Sequence, residues 1–401
     1  MSMKHKTILC IAVLLLCGLP LSAQKKQISQ ARTYIKSGKD FDKAEKLMTD
    51  LLKDTANRQN IKIYDIWFDA VKGQYEAANE KLYLKQKYDT ASFYNLIRRL
   101  QQVAISLDSL NMKPDKKGRV NPSYRKSHAE MLNSLRPNIY YGGTWHLRKN
   151  NFSSAFDFFD TYLDAARQPL FTDYRYEQTD AQLPQAAYWA TYCGFKMQDA
   201  DRILKYCKQA QNDPSKAAYG MQYEAVAYQL RKDVPAYVET LRRGFEHFPL
   251  HPYFFPRLAD YYAGKNQFDS VLVVANKGLE VSQSNSLFLM AKSVALLNLE
   301  QYDECIATSN QLIEVNDSLP EPYLNIATCY LNQALVVEQE NEPRKNRQKL
   351  QSLYQSARPF MENYRRMASA DQQRWAPALY RIYFNLNLGK QFEEIDKLMR
   401  K

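Results

Sequence analysis

The chain has 401 residues, 45% of them hydrophobic and 24% charged, with 29 tyrosines but only 12 glycines. That balance suits a globular chain with an extensive core and excludes disordered, collagen-like and multi-span membrane classes; so few glycines also argue against loops that wrap phosphates or oxyanions in closely approaching backbone. The 55 Lys and Arg exceed the 43 Asp and Glu without forming any run of five, which points away from a nucleic-acid partner.

At the N-terminus, Lys4, His5 and Lys6 precede an apolar run from Ile8 to Leu21, and Ser22-Ala23 gives way to Gln24-Lys25-Lys26. A short apolar stretch between a basic start and a small-residue exit predicts a secretory signal peptide, 1-23, cut after Ala23. Export to a Gram-negative periplasm is the expectation that follows, with outer-membrane association left open. No later stretch is long enough to span a bilayer, so the mature chain is expected to carry no integral membrane segment. Leu16 stands before Cys17 where a lipoprotein signal wants a small residue, which disfavours lipidation.

Helical periodicity then runs through the mature chain, with no period-two strand pattern. Ala31, Ile35, Phe41, Ala44, Met48 and Leu51 predict a first helix pair. Tyr75, Ala78, Leu82, Tyr88 and Ala91 predict a second, whose first helix begins near Ile63. A basic linker with Pro114, Gly118 and Pro122 follows, from Asn111 to Lys126. Gly142-Gly143, Phe152, Ala155, Phe159 and Tyr162 mark the next pair. After an insertion from Arg167 to Leu183, Tyr188, Met197, Ala200, Leu204 and Cys207 mark another, with Met197 opening its second helix and Lys205 and Lys208 facing solvent.

From there the spacing is regular. Glu224-Ala225, Tyr228, Val234, Tyr237, Leu241 and Gly244 recur 34 residues on as Leu258-Ala259, Tyr262, Phe268, Val271, Ala275 and Gly278. They recur again as Lys292-Ser293, Leu296, Tyr302, Cys305, Ser309 and Leu312, and then as Ile326-Ala327 and Tyr330. A second insertion, Val336 to Leu350, contains a linker from Glu338 to Asn346. Tyr354 and Ala357 resume the pattern, and Trp375, Ile382-Tyr383, Leu386, Phe392 and Ile395 close it.

This pattern resembles the tetratricopeptide repeat (TPR), in which small residues at positions 8 and 20 let two antiparallel helices, A and B, approach closely while aromatics fill the gaps. The resemblance implies an all-α fold: a right-handed α-solenoid superhelix of stacked antiparallel helix pairs. It divides the mature chain into N-terminal repeats with the basic linker (24-135), a regular array (136-335) and C-terminal repeats with an insertion and capping helices (336-401). It also implies a protein or peptide partner in the concave groove, into which helix A turns positions 2, 5, 9 and 12. Tyr140, Gln185, Trp189, Tyr192, Tyr219, Gln222, Tyr253 and Asp260 fall there, and aromatics on such a face supply large rigid contact area. The Lys and Asn pattern with which some relatives clamp a chaperone's acidic tail does not occur.

Catalytic signals are absent. No P-loop, G-x-G-x-x-G, H-E-x-x-H or G-x-S-x-G is present. His247 and His251 have helical ligand spacing, but Pro249 between them breaks a helix. His146, at position 11, is expected to be a core filler. Export leaves Cys193, Cys207, Cys305 and Cys329, too few for a disulfide-dependent scaffold. Cys193 and Cys207 lie too far apart along their pair to bond; Cys305 and Cys329 fall at similar heights on neighbouring helices, so pairing there stays open beside buried free thiols. The expectation is a non-enzymatic interaction scaffold or adaptor without cofactor or metal. The rival is an outer-membrane-associated glycan-binding accessory protein.

Overall fold

The computed structural model describes residues 24–114, 117–120, 122, 124–340 and 343–400. The predicted signal peptide, its cleavage point and Cys17 lie outside them. The described residues form helices and turns with no strand among them, packed into two compact units that divide between Asp233 and Val234.

The first unit holds α1 (24–37), α2 (Phe41–Leu51), α3 (Ile61–Tyr83), α4 (Thr90–Asn111), α5 (Arg125–Arg148) and α6 (Phe152–Asp164). Two 3-10 turns and the short α7 (Tyr176–Thr179) lead to α8 (Leu183–Lys196), α9 (Ala200–Ala210) and α10 (Ala217–Leu230). Each helix packs on its chain neighbour because its apolar residues recur every three to four positions. In α9, for example, Ile203, Tyr206, Cys207 and Ala210 are buried. The insertion from Arg167 to Leu183 is tied to the core by Arg136. Its buried guanidinium sits 3.7 and 3.9 Å from the rings of Tyr162 and Tyr176 and pairs with Asp180, which also accepts from Tyr162 Oη at 2.7 Å.

The second unit holds α11 (Val234–His247), α12 (Phe254–Ala263), α13 (Phe268–Val281), α14 (Ser286–Asn298), α15 (Tyr302–Val315), α16 (Glu321–Gln339), α17 (Pro343–Met367), α18 (Gln372–Asn385) and α19 (Gly389–Met399). The expected linker from Glu338 to Asn346 is corrected here. The pair α16/α17 is lengthened to 19 and 25 residues, so most of that stretch is helix. Asn346 is buried against the end of α16, donating to Val337 O and Glu340 Oε2 at 3.1 Å.

One turn recurs between consecutive helices. Asn150, Gln198, Lys232, Asn266, Glu300 and Asn387 are left-handed, with φ of 49–59° spanning such residues in this chain. In each case the next N–H reaches back to a carbonyl five residues earlier: Asn151 to His146, Asp199 to Gly194, Asp233 to Tyr228, Gln267 to Tyr262, Gln301 to Leu296 and Leu388 to Tyr383, at 2.9–3.0 Å. This closure satisfies a terminal helix carbonyl. The turn residues Gln198, Lys232, Asn266 and Glu300 are successively 34 apart, which fixes the register.

That register corrects one pair. Its second helix starts at Ala200 rather than Met197, because Gln198 makes the left-handed turn and the Asp199 carboxylate accepts from Arg202 N at 3.1 Å. Gln185, Tyr188, Tyr192 and Phe195 therefore hold positions 2, 5, 9 and 12, and Trp189 holds 6. The close approach is real: a Cβ on Gly194 would lie 2.8 Å from Ile203 N, and one on Gly278 would lie 2.8 Å from the Phe288 ring. All four described cysteines are free and buried.

Candidate partner-binding face

In the first unit α8 contacts α10 directly as well as α9, so helices at the A place of successive pairs lie side by side. Small residues face inward and aromatic ones are left toward the A-helix surface. Turns recurring at 34 residues, helix pairs joined through them, and abutting A helices together define the architecture. Each unit is built of TPR-like helix pairs.

On this TPR-like surface Tyr140 of α5 is half-buried, its ring edge-on to Phe159 and Tyr162, each at 5.6 Å between centroids. Its hydroxyl donates to Gln185 Oε1 at 2.9 Å, joining α5 to α8. Burial raises the Tyr140 pKa, and the Trp189 indole N–H beside the phenol oxygen partly offsets that rise. Trp189 meets Tyr188 at 5.0 Å and Tyr192 at 5.9 Å, both edge-on. Tyr192 in turn lies 6.2 Å from Tyr223 of α10. Lys196 Nζ stands 5.8 Å from the Tyr192 ring and 5.7 Å from Phe152.

Tyr219 of α10 is 44% exposed, and Gln222 is half-buried one turn further along. Burial raises the Tyr188 phenol, with Tyr223 opposing and Tyr219 and Tyr192 adding to the rise. The structure thus brings together Tyr140, Gln185, Trp189, Tyr192 and Tyr219 of the expected residues, with Gln222 on the same helix as Tyr219. The buried Tyr188 and Tyr223, together with Phe195 stacked on Tyr223 at 4.7 Å, form a floor the sequence reading missed. The signal was available: Asp199 as an N-cap would have set Tyr188 and Phe195 on the same stripe as Tyr192.

The second unit carries the other two expected residues. Tyr253 is only 7% exposed, with the Arg257 guanidinium 3.8 Å from its ring, so this ring is a packed one rather than an open anchor. Asp260 is exposed on α12. The A helix α14 presents a different surface: Leu287 is exposed and Met290, Val294 and Leu297 are half-buried along one stripe. Beneath it, Ser293 Oγ lies 2.6 Å from Ser309 Oγ, accepts from Asn325 Nδ2 at 2.9 Å, and its backbone carbonyl accepts from Cys305 Sγ at 3.3 Å.

Chemically, the first unit's face offers ring surfaces, neutral phenols and amides. The buried Cys193 and Cys207 thiols are pushed up to about 12 by burial, so neither is a nucleophile near neutral pH. Lys205 and Lys208 are exposed, as the sequence suggested, and both are paired. The first pairs with Asp160, and the second reaches 2.8 Å to Glu224, whose side chain is 2% exposed.

No family model matches the chain, and no curated protein matches it. Among solved structures, the C-terminal part of a TPR repeat-containing protein from Cytophaga hutchinsonii is 12% identical over 64% of this chain and 93% of that one, at a TM-score of 0.43. MamA of AMB-1 is 15% identical over 47% of this chain and 94% of its own, at 0.34. The TPR2AB domain–pHSP90 complex of yeast Sti1 is 12% identical over 64% and 99%, at 0.24. Likenesses at these TM-scores carry no weight beside the repeat geometry itself.

Proposed function

We propose that this protein is a non-enzymatic scaffold of the cell envelope whose A-helix face in the first unit takes a protein or peptide partner. The supporting observation is that Tyr140, Trp189 and Tyr192 adjoin over a buried aromatic floor, with Tyr219 exposed on the neighbouring α10. Rings held by their neighbours lose little side-chain freedom on binding, and central aromatic anchors contribute about 2 kcal/mol or more each. The sequence at Lys4 to Ala23 supports export, and hence an envelope partner.

The test is recovery of partners from an envelope extract on immobilised protein, followed by mass spectrometry. Trp189→Ala with Tyr192→Ala and Tyr219→Ala should abolish recovery of the main partner while far-UV circular dichroism stays nearly unchanged. Undiminished recovery would move the site off this face. Binding of glycans but no protein would favour the rival reading, which the Trp189 ring beside the Gln185 amide also accommodates.

A further inference from the structure

The turn between α3 and α4 leaves its apolar residues outside the core. Leu82, a core position in the repeat pattern, is 40% exposed, Tyr83 is 85% exposed and Leu84 is 55% exposed. They are nonetheless ordered: Lys85 is left-handed, Gln86 N donates to Lys81 O at 2.8 Å, and Leu84 N donates to Glu80 O at 2.9 Å. The turn also projects. Phe41, which opens α2, packs its ring on Gly73, and from Gly73 to Tyr83 the helix runs on for ~15 Å at ~1.5 Å per residue.

Cations surround this tip. Lys81, Lys85 and Lys87 are exposed on it, and none makes an ion pair among the described residues. Lys81 Nζ lies 5.9 Å over the Tyr88 ring. Two neighbouring turns lie on the same edge, because the start of α2 meets the second half of α3 at Gly73 and Tyr94 of α4 meets Gly142 of α5. They add the exposed Lys36, Lys39, Arg148 and Lys149, again without ion pairs among the described residues. Carboxylates there are fewer. Asp40 is paired with Lys43 at 2.8 Å, Asp89 accepts from Ser92 N at 2.7 Å as the cap of α4, and Glu80 is exposed. Cations that stand far apart in the sequence are thus collected on one edge, around an apolar tip.

We infer that this edge docks on an anionic lipid bilayer, with Leu82, Tyr83 and Leu84 entering the headgroup layer. Tyrosine and leucine favour that layer, and lysines beside them reach lipid phosphates on long apolar stems. Each lysine near such a surface adds to the attraction, and salt weakens it. A projecting tip suits a bilayer better than a protein, since it offers a partner little of the area that a stable protein interface needs. The contact uses other helices than the aromatic face of α8 and α10 and does not rest on it.

Co-sedimentation of the mature chain, from Gln24, with vesicles of phosphatidylethanolamine and phosphatidylglycerol tests this. Saturable binding is expected, weakened by raised salt and much weaker with vesicles of phosphatidylcholine alone. Lys81→Gln/Lys85→Gln/Lys87→Gln and, separately, Leu82→Ser/Tyr83→Ser/Leu84→Ser should each weaken it by about tenfold or more. All six positions are exposed, and a thermal melt checks that the variants fold. Tyr83→Trp should add a blue-shifted emission on mixing with vesicles, beyond any change in the unsubstituted chain. No binding, equal binding to phosphatidylcholine, undiminished binding by either folded triple variant, or an unshifted Tyr83→Trp emission overturns the inference. Binding of soluble polyglutamate through the same lysines, with none to vesicles, overturns it in favour of an acidic protein.

Discussion

Tyr219 and Tyr253 occupy the same place, the second position of consecutive repeats 34 residues apart, yet one is 44% exposed and the other 7%. The same contrast runs through the two units. In the first, the A-helix surface around α8 and α10 is aromatic, hydrogen-bonded and edged by Lys196; in the second, α14 offers Leu287, Met290, Val294 and Leu297 over a buried serine, asparagine and cysteine network. Both units use the same turn and the same small-residue approach. Positions that join the helices are therefore common property, and positions that face outward are free to diverge. Register says where a side chain stands, while exposure depends on what the neighbouring turn of helix adds, here Arg257 over the Tyr253 ring.

The largest expected effect falls on the first unit alone. Asp180→Ala strands the buried Arg136 guanidinium, and breaking a buried pair costs about 3–5 kcal/mol. Chemical denaturation followed by hydrogen exchange should place the loss in α5, α6 and the insertion, and equal loss of protection in α14 to α16 would break the contrast between units. Next, Ala155→Leu forces bulk into a fully buried contact, with overpacking costs of about 1–3 kcal/mol, whereas Ala155→Ser should be milder. Identical melting of the two variants would refute the register of α5 and α6.

A comparable test in the second unit is Ser293→Ala. It leaves Asn325 Nδ2 and Ser309 without their buried partner, at about 1–3 kcal/mol, and Ser293→Ala with Asn325→Leu should recover part of that in a urea melt. The smallest effect is a pH dependence. Burial, with Arg98 nearby, lowers the His146 pKa, and neither ring nitrogen has a hydrogen-bond partner. The folded state thus holds its proton less tightly than the unfolded state, whose histidine titrates near ~6.5. Stability from this group is present above that value and falls as the pH drops through it toward the lower folded pKa. His146→Phe should flatten the stability profile between pH 7 and 5, and an unchanged profile would assign the slope elsewhere.

Much of this was legible in the sequence. The 34-residue spacing carried the helix pairs, and α4 ends at Asn111 and α5 begins at Arg125, on either side of Pro114, Gly118 and Pro122. The misreadings have local causes. The stretch from Glu338 to Asn346 looked like a linker, but Pro343 occupies the first turn of α17, where a proline loses no helical hydrogen bond. Met197 looked like the large residue that opens a second helix, while Gln198 and Asp199 supplied the turn and cap. Nor does the sequence place Asp65 of α3 and His128 of α5 on one cavity wall, since only packing brings them together.

The left-handed turn also makes the chain divisible. Each such residue is a joint whose two sides are chemically alike, and most are not glycine, so each stores a modest conformational cost of about 1 kcal/mol. Excising residues 267–300 would splice Asn266 directly onto Gln301, closing α12 onto α15 through the same turn that now closes α14 onto it. A shortened or duplicated array is then a matter of cutting at joints, with glycine at the splice as the means of relieving what the turn stores.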